Sequence, residues 1–332
     1  MRTTIRATLL ASLLLLLLPV VVMAQSVNAR NQLKIARSYA GQGDWKRARE
    51  YADRALKEDP GYLDALYMRA FAFRELEEYE KSEADFREVI RRDPEYLPTY
   101  GALAEIFVKQ KEYDKANKVF VELGKQPNGA KWSNYYQGVI AYLKADLPAA
   151  EKFWKEALAT DGTFTHALHN LGALYLAQGD SVKALVRFRA AMRQEPEKAL
   201  YRLHTAWALE RSGQTAEAQA ILKKILDENV DDQKNWLLAK SLDRLTRNQP
   251  ELALPSLKSV AESNPDNLDV WVLLGRAHLA LNQPEEARKA LEKAREMDKA
   301  FKEIEELLSR LPEPPPEEAP EPEPSETPTP EE

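Results

Sequence analysis

Apolar residues in this chain fall at helical spacing, and small residues recur at a much longer one. Between Thr165 and Pro196, the residues Leu168, Leu171, Gly172 and Tyr175 sit at i, i+3, i+4 and i+7, which is one stripe of an amphipathic helix. The segment Gln178-Gly179-Asp180 interrupts that stripe, and its glycine can take the left-handed conformation that ends helices. A second stripe follows at Ala184, Phe188 and Ala191, and Pro196 closes it because proline cannot continue a helix. The pattern predicts two helices that cross where Gly172 and Ala184 permit close approach, with Tyr175 and Phe188 filling the space beside them. Neither helix can bury its stripe alone.

The same pair returns about every 34 residues. Counting from Ala29, the eighth place of each repeat holds Ala36, Ala70, Ala104, Gly138, Gly172, Ala206, Ser241 and Gly275. The twentieth place holds Ala48, Ser82, Ala116, Ala150, Ala184, Ala218, Ala253 and Ala287. Pro60, Pro94, Pro196 and Pro265 close four of the repeats, and Phe86, Phe120, Trp154 and Phe188 fill the large position of the second helix. The expected boundaries are 29–62, 63–96, 97–130, 131–164, 165–198, 199–232, 234–267 and 268–301. One extra residue enters near Gln233, either between repeats or inside a helix turn. Repeat seven departs most, with Lys240 and Arg244 at two usually apolar places, and repeat four carries Gln137 and Ala141 at the same two. Residues 302–311 (KEIEELLSRL) read as a final amphipathic helix that caps the array with a polar outer face.

This pattern of small residues and helix pairs resembles the tetratricopeptide repeat family. The resemblance implies an all-α fold, a right-handed superhelical solenoid of eight helix-turn-helix repeats plus a C-terminal capping helix. In that family the first helix of each repeat lines a concave groove, mainly through its places 2, 5, 9 and 12. Carried onto this chain, those places and their neighbours give a candidate partner-binding groove of Tyr67, Phe71, Trp132, Tyr135, Tyr142, His166, His169, Asn170, His204 and Trp207. Arg74 falls on the same face. Aromatic side chains there offer large contact area at low entropic cost, as binding hot spots do. The alternative is that the rings only pack between neighbouring helices. The family's clamp for acidic C-terminal tails is not expected, since the matching places hold Leu33, Arg37, Met68, Tyr135, Val139 and Asn170, of which only Asn170 fits.

The two ends differ from the repeats. Arg2 and Arg6 precede an apolar run from Leu9 to Val22, and Val22-Met23-Ala24 offers a cleavage site, so residues 1–24 read as a secretory signal peptide. The run is shorter than the ~20 residues of a usual membrane span. Membrane contact is expected only if the leader stays uncleaved and residues 9–24 act as an anchor. Residues 312–332 hold nine prolines, eight glutamates and no basic residue, a composition that cannot bury a core. Extended as polyproline II at ~3.1 Å per residue, such a tail would reach roughly 65 Å.

Charge and chemistry narrow the function. The chain carries 47 basic and 53 acidic residues, for a net charge of −6, but the leader's two arginines and the tail's eight glutamates account for that difference. The repeat body is therefore neutral and lacks the basic field that draws in nucleic acid. There is no cysteine, so no disulfide or thiolate metal site exists and an oxidising compartment is tolerated. No Asn-x-Ser/Thr acceptor occurs either, and the periplasm of a bacterial envelope is the expected location. His166, His169 and His204 cluster in sequence, yet no His-Glu-x-x-His motif accompanies them and they read as polar groove residues. No nucleophile elbow or phosphate loop is present, so no enzyme activity, metal or cofactor is expected. The reading is a non-catalytic adaptor or assembly scaffold that holds a protein or peptide partner in its groove. Two alternatives stay open: a self-assembling structural module that forms homo-oligomers, and a glycan-binding accessory of envelope polysaccharide assembly.

Overall fold

The computed structural model describes residues 27–228 and 232–312. The expected leader, and the expected tail beyond Pro312, lie outside them. The described residues form helices and turns with no strand among them. In chain order these are α1 (27–41), α2 (Trp45–Glu58), α3 (Leu63–Glu75), α4 (Tyr79–Arg92), α5 (Pro98–Lys109), α6 (Tyr113–Leu123), α7 (Ala130–Leu143), α8 (Leu147–Thr160) and α9 (Thr165–Ala177). They continue as α10 (Ser181–Gln194), α11 (Ala199–Arg211), α12 (Thr215–Asp227), α13 (Gln233–Thr246), α14 (Pro250–Ser263), α15 (Leu268–Ala280), α16 (Pro284–Met297) and α17 (Lys302–Leu308). The described residues divide into two compact bodies, one up to Leu171 and one from Gly172, and the division falls within α9. Within each body, successive helices pack on each other as in a solenoid of helix pairs, α2 through α8 in the first and α10 through α17 in the second, with odd-numbered helices first in each pair.

The small residues act where the pairs cross. A Cβ added to Gly138 would come within 2.5 Å of the Trp154 indole nitrogen, and one on Gly172 within 2.7 Å of the Phe188 ring. At Gly275 it would meet Leu291 at 2.4 Å. The eighth place is therefore small because the large residue of the second helix rests directly on the backbone of the first. Where that place is alanine, as at Ala70, the large residue Phe86 belongs to the same buried cluster, and the buried Ser82 hydroxyl donates to the Ala70 carbonyl at 2.7 Å.

Every pair turns in the same way. The fifteenth place of all eight repeats is left-handed: Gly43, Gly179 and Gly213, but also Glu77, Lys111, Ala145, Asn248 and Asn282, with φ between 55° and 79°. At Gly179 the Gly179 amide donates to Leu176 O (2.9 Å) and the Asp180 amide to Tyr175 O (2.8 Å), closing the end of α9. Asp180 then caps α10 by accepting from the Lys183 amide at 2.9 Å, and Asp44 and Asp146 do the same for α2 and α8. The three-residue turn 247–249 matches the other turns, so the extra residue near Gln233 lies between α12 and the first turn of α13, not inside a pair.

The last helix differs from its expected form. α17 ends at Leu308, not Leu311, and its polar residues do not all face outward, since Glu303 is buried beside Ile304 and Leu307.

Candidate protein-binding face

In the first body, α3, α5 and α7 line a groove of about 530 Å³. Tyr67 and Phe71 form one wall, Val139, Ile140 and Leu143 the other, and Gly101, Ala102 and Glu105 lie between. Leu143 is exposed. The ring of Tyr136 enters the same groove because Gly101 has no side chain; a Cβ there would stand 3.3 Å from the Tyr136 hydroxyl.

One ion cluster is set into these apolar walls. The Arg74 guanidinium is buried, lies 3.9 Å from the centroid of Phe71, and donates to Glu75 at 2.7 and 2.9 Å and to Glu105. Two carboxylates thus face one arginine, and Glu105 remains 47% exposed. Burial raises the Tyr67 and Tyr136 phenols above their ordinary pKa.

A second aromatic group adjoins Tyr136. Trp132 lies 6.3 Å from Tyr135, 6.0 Å from Tyr136, 4.8 Å from Phe164 and 5.4 Å from His166, measured between ring centroids. Tyr135 also meets Phe164 and His166, at 5.5 and 5.7 Å. The salt bridge from Lys131 to Asp161 (2.7 Å) pins the start of α7 to the turn before α9. Lys131 and the Thr163 hydroxyl and amide hold the Asp161 carboxyl at a pKa of about 2. All these rings except the buried Phe164 are half-buried, so they pack and still present an edge.

The structure thus brings Tyr67 and Phe71 into one groove and gathers Trp132, Tyr135 and His166 into one cluster, with Tyr136 common to both. Tyr142 stands apart and packs toward Trp154 at 6.0 Å. His169 and Asn170 contact each other at 3.4 Å. Tyr136 and Glu105 escaped the sequence reading. Glu105 occupies the ninth place of its repeat, a groove position, and the glycine at Gly101 was the signal for Tyr136.

The second body treats the same face differently. His204 is held at 3.0 Å by Asp269 of α15 and packs edge-on against Phe188. Trp207, expected on the open groove, is 1% exposed. Its indole N–H donates to Glu303 of α17 at 3.2 Å, and Phe301 lies 6.5 Å from its ring. The packing of α15 and α17 across α11 closes this part of the face, which repeat spacing does not encode. Among the described residues, no group of three histidine, aspartate or glutamate side chains is placed to hold a metal ion.

Sequence models of the tetratricopeptide repeat match residues 33–96, 175–242 and 244–311. The chain belongs to the tetratricopeptide repeat family. That fold is in general a non-catalytic one for protein interaction, used as adaptor or scaffold, and its members bind protein partners. No curated protein matches the chain in sequence. Among solved structures, a tetratricopeptide repeat protein from Parabacteroides merdae is 15% identical over 85% of this chain and 98% of its own, with a TM-score of 0.41. PilW, a widely conserved type IV pilus biogenesis factor, is 16% identical over 74% of this chain and 98% of its own, with a TM-score of 0.42. Human IFIT1 is 16% identical over 76% and 68%, with a TM-score of 0.47.

Proposed function

We propose that this protein is an exported adaptor of the bacterial envelope, and that it holds a segment of a protein partner on the α3–α5–α7 face of its first body. The observation that carries the reading is the groove of about 530 Å³, whose walls include the half-buried Tyr67, Phe71 and Val139 and the exposed Leu143, while their polar centre is Arg74 and its two carboxylates. Apolar walls with a few placed polar groups suit a ligand that buries side chains and is oriented by one or two contacts. The mechanism is recognition without a covalent step. The envelope location rests on the sequence of residues 1–24, with its basic start, apolar run and small residue before the cut.

Photo-crosslinking from Leu143 in the native cell, in wild type and in a Phe71→Ala/Tyr136→Ala variant, tests the binding face. A partner captured by wild type and lost from the folded variant supports the reading; an unchanged partner set overturns it. The mass of the mature chain tests export. A product beginning at Gln25 in the periplasmic fraction is expected, and an intact Met1 in the cytosol would remove the envelope from the account.

A further inference from the structure

The C-terminal helix occupies a surface built like a ligand site. Four side chains of the second body surround it: Trp207, Glu210 and Arg211 of α11, and Arg276 of α15. Onto them α17 places Glu303, with Phe301, Ile304 and Leu307 buried alongside. The Glu303 side chain is only 2% exposed. It accepts the Trp207 indole N–H at 3.2 Å and stands 3.7 Å from both Arg211 and Arg276. Arg211 also pairs with Glu306 at 2.7 Å, and Arg276 with Glu210 at 2.7 Å.

That seat is specific yet incompletely satisfied. A carboxylate moved out of water regains its hydration only through close, well-aligned partners. Both arginines here stay beyond hydrogen-bond distance of Glu303. The Arg276 Nη1 and Glu210 Oε2 atoms are buried with no hydrogen-bond partner among the described residues. A crevice of about 480 Å³ remains beside Leu307, between α17 and the ends of α13 and α15. The helix itself has seven residues, too few to be stable outside its seat. The surface thus reads an amphipathic helix with a glutamate on its apolar face, and its present occupant leaves contacts unmade.

We infer that the Trp207–Arg211–Arg276 surface is a second binding site, for a short amphipathic helix of a partner protein that carries an acidic residue among apolar ones, and that α17 is its resident competitor. A partner helix with a better-placed carboxylate displaces α17. The protein's apparent affinity for that helix is then lowered by the fraction of molecules in which α17 is seated.

The test uses the full chain and a labelled peptide of residues 298–312 as probe. Glu303→Lys sets a cation against Arg211 and Arg276 and unseats α17. Fluorescence anisotropy should then show the peptide binding the Glu303→Lys chain at least about tenfold more tightly than wild type, while a peptide carrying the same substitution binds neither. Equal binding to both chains, or none to a variant that keeps its helix content, overturns the inference. Hydrogen exchange on the wild-type chain gives a reading that needs no variant. The α17 amides should exchange at least about tenfold faster than those of α15. Equal protection would make α17 a fixed part of the fold and refute displacement.

Discussion

Helices α3 and α11 hold the same place in their repeats, and the two bodies use them in opposite ways. In α3 the buried residues are Ala65, Leu66, Ala70, Ala72 and Arg74, while Tyr67 and Phe71 stay half-buried along the groove. In α11 nine residues are buried, from Ala199 to Leu209, including the groove-place residues Leu203 and Trp207. One helix displays its aromatic residues and the other encloses them. A shared register fixes which side chains point to the common face, whereas the packing of later helices decides whether that face stays open.

The difference can be tested by removing one tryptophan from each body. Trp207→Ala should cost about 3–5 kcal/mol of stability in urea unfolding, because the ring is fully buried and its removal leaves a cavity. Trp132→Ala should cost roughly 1–2 kcal/mol, since its ring is already partly in water. Equal losses would mean that the two faces are equally closed.

Glycine substitutions probe a feature the bodies share. Gly138→Ala forces Trp154 to move, although its indole N–H is donated to the Tyr135 carbonyl at 3.1 Å. The expected cost is about 1–3 kcal/mol, read from the urea midpoint. Gly172→Ala would bring a Cβ within 2.7 Å of the Phe188 ring and should cost an amount in the same range.

These crossings were legible in the sequence because each pairs residues within one repeat, as Gly172 does with Phe188. Of the expected groove residues, Tyr67 and Phe71 line the α3–α5–α7 groove, while Trp207 is enclosed. Tyr136 was missed, because its hydroxyl sits against Gly101, a residue of the preceding repeat. The seat of α17 was not legible either. Trp207 and Glu303 lie 96 residues apart and meet through the accumulated rotation of three repeats, a quantity that a 34-residue period leaves free.

pH should act on the closed face more than on the open one. Burial pushes the Glu303 carboxyl above its ordinary 4.5, more than Arg276 and Arg211 pull it down, with Glu210 adding to the rise. A carboxyl with a raised folded pKa stabilises fully below its unfolded value and loses that contribution as pH rises through the folded one. Wild type should therefore lose stability relative to Glu303→Gln between pH 4 and neutrality, in paired unfolding curves. Arg211, Arg276, Glu210 and Glu306 are the charged groups facing this position. A difference that is flat with pH would contradict the buried placement of Glu303.

The smallest effect concerns the left-handed turns. Ala145 has a φ of 60° where Gly43, Gly179 and Gly213 occupy the same place in other repeats. Ala145→Gly should remove backbone strain and raise stability by up to ~1 kcal/mol, partly offset by the freedom glycine adds to the unfolded chain. The same change at Gly179, made in reverse to alanine, should destabilise by a similar amount.

Hydroxyl-radical footprinting of the full chain tests the contrast between the two faces most directly, because it reads side-chain accessibility residue by residue in solution. Trp132, Tyr136 and Phe71 should be oxidised readily, while Trp207 should be protected to the level of the buried Phe188. Oxidation of Trp207 at the rate of Trp132 would contradict the account, since it would put the second face in water with α17 away from its seat.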